Sequence, residues 1–314
     1  MVFRGASVGG KTYVDEEPVK TPDPSSISDS DTGAPRETAD LVVEPEHVQL
    51  SGGVLRHFHS SQLAGELEAA AADFRSPDRH RHGHFWTTLA LCHTVLAGVN
   101  SKSGLLEYKA QSPDEAALVQ AAADIGFEFR GRERDILFLR TPFAREPLRF
   151  RLLNILEFTS ARKRMSVIVR QLGEDGQPET NPILLFSKGA DNVIFERLAP
   201  GAEELKAATE VQLDSFANEG LRTLTLAYRV VSQDEYSSWV SRYQAALSSI
   251  EDREGEIERV SDEIEQGLLL LGATAIEDKL QDGVPEAIAD LKKAGIKIWV
   301  LTGDKLETAI GMSS

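Results

Sequence analysis

The order of hydrophobic patterns in this 314-residue chain predicts an α+β domain, an antiparallel sheet carrying helices, followed by a short piece of α/β character. Three observations predict it. Between residues 105 and 231, short β-rich runs alternate with turn residues and only a few helical stretches. Helical periodicity dominates residues 61–97 and 233–265. After residue 267 the pattern becomes apolar strand, helix, apolar strand, the βαβα alternation of a parallel, doubly wound sheet.

The elements follow in order. Lys11 stands in a strand-like stretch, and 15–60 read as a disordered linker or insertion, because five prolines stand there among Ser, Asp, Glu and Gly. Leu63, Leu67, Ala70 and Phe74 mark a helix capped by Ser60 or Ser61, and residues 85–97 mark a second, with a basic His-rich turn at 79–84 between them. A strand is expected over Leu106–Lys109, then a helix opened by Ser112-Pro113-Asp114-Glu115, in which serine caps, proline fits the first position and the acids favour the helix N-terminus. Strands are expected at Ile136–Arg140, 150–158, 165–170, 183–186 and 221–231, and helices at 191–198, 203–217 and 285–294. Apolar strands are expected at 268–275 and 296–301.

Composition excludes some functions. With 34 basic against 50 acidic residues the net charge is −16, which argues against a nucleic-acid partner. An anion site in such a field must gather its few Lys and Arg locally. The single cysteine, Cys92, excludes an internal disulfide and suits a reducing compartment. No apolar run reaches the ~18 residues of a membrane span, and no signal peptide is expected behind Met1.

Two motifs carry alternative readings. Gly5-Ala6-Ser7-Val8-Gly9-Gly10-Lys11-Thr12 fits the P-loop pattern, which would make the chain a soluble P-loop NTPase. That motif needs a buried strand before it and a helix after it, and neither is expected: only four residues precede Gly5, and Tyr13-Val14-Asp15-Glu16 is a poor helix start. His80, His82 and His84 are expected as an exposed basic turn without the fixed geometry of a metal site. A non-catalytic acidic interaction module is the remaining alternative.

Five strings then place chemistry at strand and helix ends. After Gln111-Ser112-Pro113-Asp114-Glu115-Ala116-Ala117-Leu118 comes Glu157-Phe158-Thr159-Ser160-Ala161-Arg162-Lys163-Arg164-Met165-Ser166, an aromatic beside three cations. Phe186-Ser187-Lys188-Gly189-Ala190-Asp191 closes a strand and opens a helix, and Glu219-Gly220-Leu221-Arg222-Thr223-Leu224 begins another strand. An aromatic face for a purine, with Lys163, Lys188 and Arg222 for negative charge, is the equipment for holding ATP. Last, Ile298-Trp299-Val300-Leu301-Thr302-Gly303-Asp304-Lys305 delivers a hydroxyl, an amide and a carboxylate to a sheet edge.

With these motifs in this order, over about residues 85–314, the chain resembles P-type ATPases, specifically their phospholipid-translocating (flippase) branch. Asp252-Arg253-Glu254 and the Ser261-Asp262-Glu263-Ile264-Glu265 string look most like the fungal flippases that prefer phosphatidylcholine, phosphatidylethanolamine or their lyso forms. The resemblance implies a nucleotide-binding domain at 61–266, inserted in a partial haloacid-dehalogenase-like phosphorylation domain whose edges are 1–14 and 267–314. It implies that Glu115 and Phe158 face adenine, with Phe158 stacking, and that Lys163, Lys188 and Arg222 surround base, ribose and phosphates. Thr302, Gly303 and Asp304 would touch the phosphate end. ATP and Mg2+ are the implied cofactors, the Mg2+ ligands lying largely elsewhere. A phospholipid substrate, an accessory membrane subunit and a plasma-membrane, Golgi or endosomal location are implied for the parent protein, with this segment on the cytoplasmic side. The Asp-Lys-Thr-Gly-Thr motif of the phosphorylated aspartate does not occur, so the chain alone is expected to be inactive as an ATPase.

Overall fold

A computed structural model describes residues 1–16, 48–173, 181–279 and 283–299. β1 (Val2–Val8) and β2 (Lys11–Val14) form a hairpin turning at Gly9-Gly10, with φ of 58° and 87°. A two-residue turn of this hand needs positive φ at both positions, which glycine adopts without strain. The P-loop letters therefore serve a hairpin. Lys11 enters a strand, not a helix, and its Nζ reaches Glu66 at 3.1 Å. The P-loop reading falls on that geometry.

α1 (Ser61–Ala72) buries Leu63, Leu67 and Ala70 as the periodicity predicts. The second helix differs. Expected over 85–97, α2 runs Pro77–Leu91, so the 79–84 turn is helical. Pro77 and Asp78 suit a helix start, whereas Leu96–Val99 beyond its end pairs as the strand β4. The histidines consequently split between helix faces: His82 is buried against Tyr13, and His84 stacks on Tyr228 at 4.2 Å.

The expected disordered segment 15–60 is corrected in part. Residues 17–47 lie outside the described residues. Beyond them, β3 (Val48–Gln49) adds to a small sheet in the order β3-β5-β4, where β5 is Leu106–Lys109, and Val54 and Phe58 are buried. Phe58 meets Phe3 edge-on at 4.9 Å, and its backbone N–H donates to Asp124 at 2.7 Å. These few anchors order residues 48–58, which composition alone groups with the preceding proline-rich stretch.

The main sheet has the order β2-β1-β12-β11-β10-β9-β8-β7-β6, and each neighbouring pair is antiparallel. Its further strands are β6 (Glu128–Glu133), β7 (Ile136–Arg140), β8 (Leu148–Leu156), β9 (Arg164–Gln171), β10 (Ile183–Gly189), β11 (Arg222–Val231) and β12 (Leu269–Glu277). α3 (Pro113–Asp124) lies with α2 on one face; α4 (Asp191–Phe195), α5 (Glu203–Asn218), α6 (Gln233–Leu247) and α7 (Arg253–Ile264) complete the set before β12.

Side chains alternate across a strand, and here both faces are buried. Val167, Val169, Leu184 and Phe186 join the core that holds Trp86 and Phe85, while Ile168, Ile183 and Leu185 join the core that holds Trp239. The Trp239 indole N–H donates to the Val260 carbonyl at 2.8 Å, tying α6 to α7. Burial of each such large side chain contributes on the order of 2–3 kcal/mol.

This double coverage explains a second correction. β12 reads as a continuous apolar run and was expected to pair in parallel within a separate α/β unit. Instead it lies between β1 and β11, antiparallel to both, so residues 1–14 and 269–277 are members of the same sheet. A strand buried on both faces looks the same in sequence whichever way its neighbours run. α8 (Val284–Lys293) follows and buries nothing, and residues 296–299, expected as strand, are exposed and unpaired into a strand. No described helix is long and apolar enough to cross a membrane.

Candidate functional site

β8 ends at Leu156, and the chain turns through 157–163 before β9. In that loop the Lys163 N–H donates to the Thr159 carbonyl at 2.8 Å and the Arg162 N–H to Thr159 Oγ1 at 3.1 Å. Phe158, 60% exposed, stands on the lip of a cleft of about 860 Å3. The opposite wall is the first turn of α3. There the Ser112 hydroxyl accepts from the Glu115 N–H at 3.4 Å, so the capping serine fixes the backbone turn that carries Glu115.

The floor comes from the ends of β10 and β9. Gly189 matters by its lack of a side chain: a Cβ there would sit 2.6 Å from the Lys163 carbonyl oxygen, so the loop approaches only over glycine. Lys188, nearly buried, pairs with Glu115 at 2.9 Å. The other Glu115 oxygen accepts from Thr94 Oγ1 at 2.7 Å and from the Thr94 N–H at 3.2 Å. Burial alone would raise the Glu115 carboxyl, but Lys188 and Thr94 outweigh it and hold it below the ordinary carboxylate value.

Of the residues singled out in the sequence, Glu115, Phe158 and Lys188 line this one cleft. Arg222 stands beside it, paired with Asp114 at 3.2 Å and Asp278 at 3.6 Å. Lys163 does not line the cleft; it is exposed on the same loop, with φ of 51°. Thr302, Gly303 and Asp304 lie outside the described residues. Thr94 and Met165 also line the cleft. Met165 belongs to the quoted 157–166 string without a role assigned to it there, whereas Thr94 was not legible, because it reaches Glu115 across 21 positions of chain and carries no motif of its own. Chemically, the cleft offers an open aromatic face, an apolar lining that includes Leu118 and Leu224, and a donor–acceptor pair in Lys188 and Glu115.

Two groups behind the floor are kept neutral. Burial pushes the Cys92 thiol up to about 12, so it is not a nucleophile. Burial, then the Lys188 charge, lowers His93 to about 4. The His93 Nε2–H donates to the Ala90 carbonyl at 2.7 Å, and Nδ1 accepts from the Val95 N–H at 3.0 Å. Between the unfolded value near 6.5 and the folded value near 4, the unfolded chain binds more protons. Stability from this group is therefore complete above about pH 6.5 and falls as the pH drops toward about 4, by up to about 3 kcal/mol. Urea unfolding midpoints measured across that range are expected to decline less steeply for His93→Gln than for the wild-type chain.

Comparison with known proteins places these features in a family. The chain is 50% identical over 256 residues to the phospholipid-transporting ATPase dnf2 of Schizosaccharomyces pombe, covering 81% of this chain and 17% of that protein. It is 49% identical over 243 residues to phospholipid-transporting ATPase 10 of Arabidopsis thaliana, covering 76% of this chain and 20% of that one. It is 48% identical over 260 residues to phospholipid-transporting ATPase DNF1 of Saccharomyces cerevisiae, covering 81% and 16%. The chain thus spans a fifth or less of the length of these relatives. Residues 83–283, which hold the cleft and most of the sheet, match the family described as P-type ATPase, cytoplasmic domain N, and the chain belongs to that family.

Proposed function

We propose that the cleft binds ATP base-first, as the nucleotide-holding part of a phospholipid-translocating P-type ATPase. The carrying observation is the convergence of Phe158, Glu115 and Lys188, from three separate motifs, on one cleft inside the region matched to domain N. In this reading adenine lies on the Phe158 ring with Glu115 at its edge. Lys188, Arg222 and the exposed Lys163 face ribose and phosphates, and Thr302, Gly303 and Asp304 meet the phosphate end. An incoming phosphate competes with Glu115 for Lys188, so binding trades one ion pair for another.

For the whole protein, ATP hydrolysis drives phospholipid across a membrane, with an accessory membrane subunit, at the plasma membrane, Golgi or endosome. The relatives, named as phospholipid-transporting ATPases, support the ATP-driven lipid movement, and phosphatidylcholine, phosphatidylethanolamine or their lyso forms are the lipids favoured by the fungal resemblance. The segment from α8 onward starts the haloacid-dehalogenase-like domain. In support, its apolar Ile288, Leu291 and Trp299 are left uncovered, as they would be where further structure packs. Magnesium has no ligand set among the described residues, where no three His, Cys, Asp or Glu side chains converge.

The polypeptide holds nucleotide but lacks the attacking carboxylate, since no Asp is followed by Lys-Thr-Gly-Thr. Titration calorimetry is expected to detect ATP binding. The same preparation, given γ-labelled ATP and magnesium, is expected to take up no acid-stable, hydroxylamine-labile label. Labelled protein, or no ATP binding by the folded chain, overturns the reading.

A further inference from the structure

Glu265 lies in none of the cleft walls, yet its carboxylate is fully buried and holds the segment that carries Phe158 and Lys163. It follows α7 directly. One oxygen accepts from an Arg162 terminal nitrogen and from Ser166 Oγ; the other accepts from Arg164 Nε at 2.8 Å and lies 2.7 Å from its Nη2. Arg162 and Arg164 are themselves 4% and 3% exposed, so both cations depend on this acid for compensation. Asp262, one turn earlier, takes Arg164 at 2.8 Å and Arg197 at 2.7 Å and leaves Glu265 as the acid that reaches Arg162.

The link to the cleft runs through Arg162. Its other terminal nitrogen donates to the Glu157 carbonyl at 3.3 Å, immediately before Phe158, and its own N–H closes on Thr159 Oγ1. Lys163 comes next in sequence, and its carbonyl accepts from the Ala190 N–H at 3.0 Å, past the end of β10. A second branch passes from Ser166 Oγ to Ser187 Oγ at 2.9 Å, beside Lys188. One buried carboxylate thus reaches the backbone at both ends of the loop and the strand that bears the cleft lysine.

We propose that Glu265 is a positioning residue for nucleotide binding, acting through Arg162 to hold the 157–163 loop in the shape that presents Phe158. An exposed ring on a loop binds a base well only if the loop is ordered beforehand, because otherwise binding carries the cost of ordering it. This inference rests on the base-first reading of the cleft.

The test uses Glu265→Gln, with Glu263→Gln on the exposed side of α7 as control; Glu263 pairs with Arg242 and Arg259, both about half exposed. Adenosine and ATP affinities are measured calorimetrically well below the unfolding midpoint, and amide exchange is followed at Arg162 and Lys163. Glu265→Gln is expected to weaken both ligands about tenfold and to speed exchange of the two amides about tenfold, with Glu263→Gln unchanged. In a Phe158→Ala background the further loss from Glu265→Gln is expected to shrink below about twofold, because both changes remove the same contact. An undiminished loss in that background, or unchanged affinity in a folded variant, overturns the proposal. If Glu265→Gln does not fold, Arg162→Met carries the test with the same expected losses, since it leaves Glu265 paired with Arg164 and Ser166. Failure of the wild-type chain to bind either ligand overturns the ATP reading instead; loop positioning is then decided by the exchange of the two amides alone.

Discussion

Phe158→Ala is expected to weaken adenosine and ATP binding alike, by about 5- to 150-fold, the range for removing an aromatic from under a base. The expectation follows from where the ring stands: 60% exposed on the lip of the cleft, with no apolar cluster claiming it. A ring so placed contributes little to the fold, so unfolding midpoints are expected to stay within about 0.5 kcal/mol of wild type. Adenosine and AMP should compete with ATP within roughly one order of magnitude, because phosphate contacts in a solvent-facing cleft add on the order of 1 kcal/mol. Lys11→Ala is expected to change neither affinity. Its ammonium sits 3.1 Å from Glu66 at the start of a hairpin strand. Calorimetric titration of the three chains with adenosine, AMP and ATP checks the set; ATP binding lost in Lys11→Ala and kept in Phe158→Ala contradicts it.

Gly272→Ala is expected to cost on the order of 3–5 kcal/mol of stability, combining overpacking with backbone strain. Gly272 lies within β12 at φ 142°, where the ladder with β11 shifts register between Leu226 and Ala227. A Cβ built there falls 1.9 Å from the Ser7 carbonyl oxygen and 2.8 Å from its carbon. Those are backbone atoms of β1, which cannot swing aside as a flexible side chain could. Relief requires β1 to move away from β12, and with it the hairpin at the edge of the sheet. Gly98→Ala in β4 is the control, since no atom lies within 4 Å of its Cβ position, and it is expected to be neutral within about 0.5 kcal/mol. Denaturant unfolding of both variants decides the matter, and a Gly272→Ala midpoint equal to wild type removes the steric argument. The two predictions are independent. The first removes binding and spares the fold, and the second does the reverse.

What the sequence determined by itself was local. β5 and β7 occupy the spans expected of them, because each is a short β-rich run between turn residues. The Ser112 cap, Pro113 at the first turn and the acids behind it set α3 without help from distant residues. The same string carries Glu115, which is why one wall of the candidate cleft was legible together with its helix. Lys188 and Phe158 were legible as residue types at strand ends, where an antiparallel sheet leaves side chains free to serve a ligand. Tertiary structure alone decided partners. Whether β12 runs parallel or antiparallel depends on β1 and β11, which lie far from it in sequence and leave the same apolar run in either case. Pro77 and Asp78 mark a helix start locally, but that the polar 79–84 segment buries His82 depends on packing, against which its composition argues. The pairing of Glu265 was invisible for the same reason: the residue stands in the string that carries the fungal resemblance but reads there as one more acid in a charged helical stretch, and only the folded chain brings it to Arg162, 103 positions away, where burial makes it a counter-ion for two arginines.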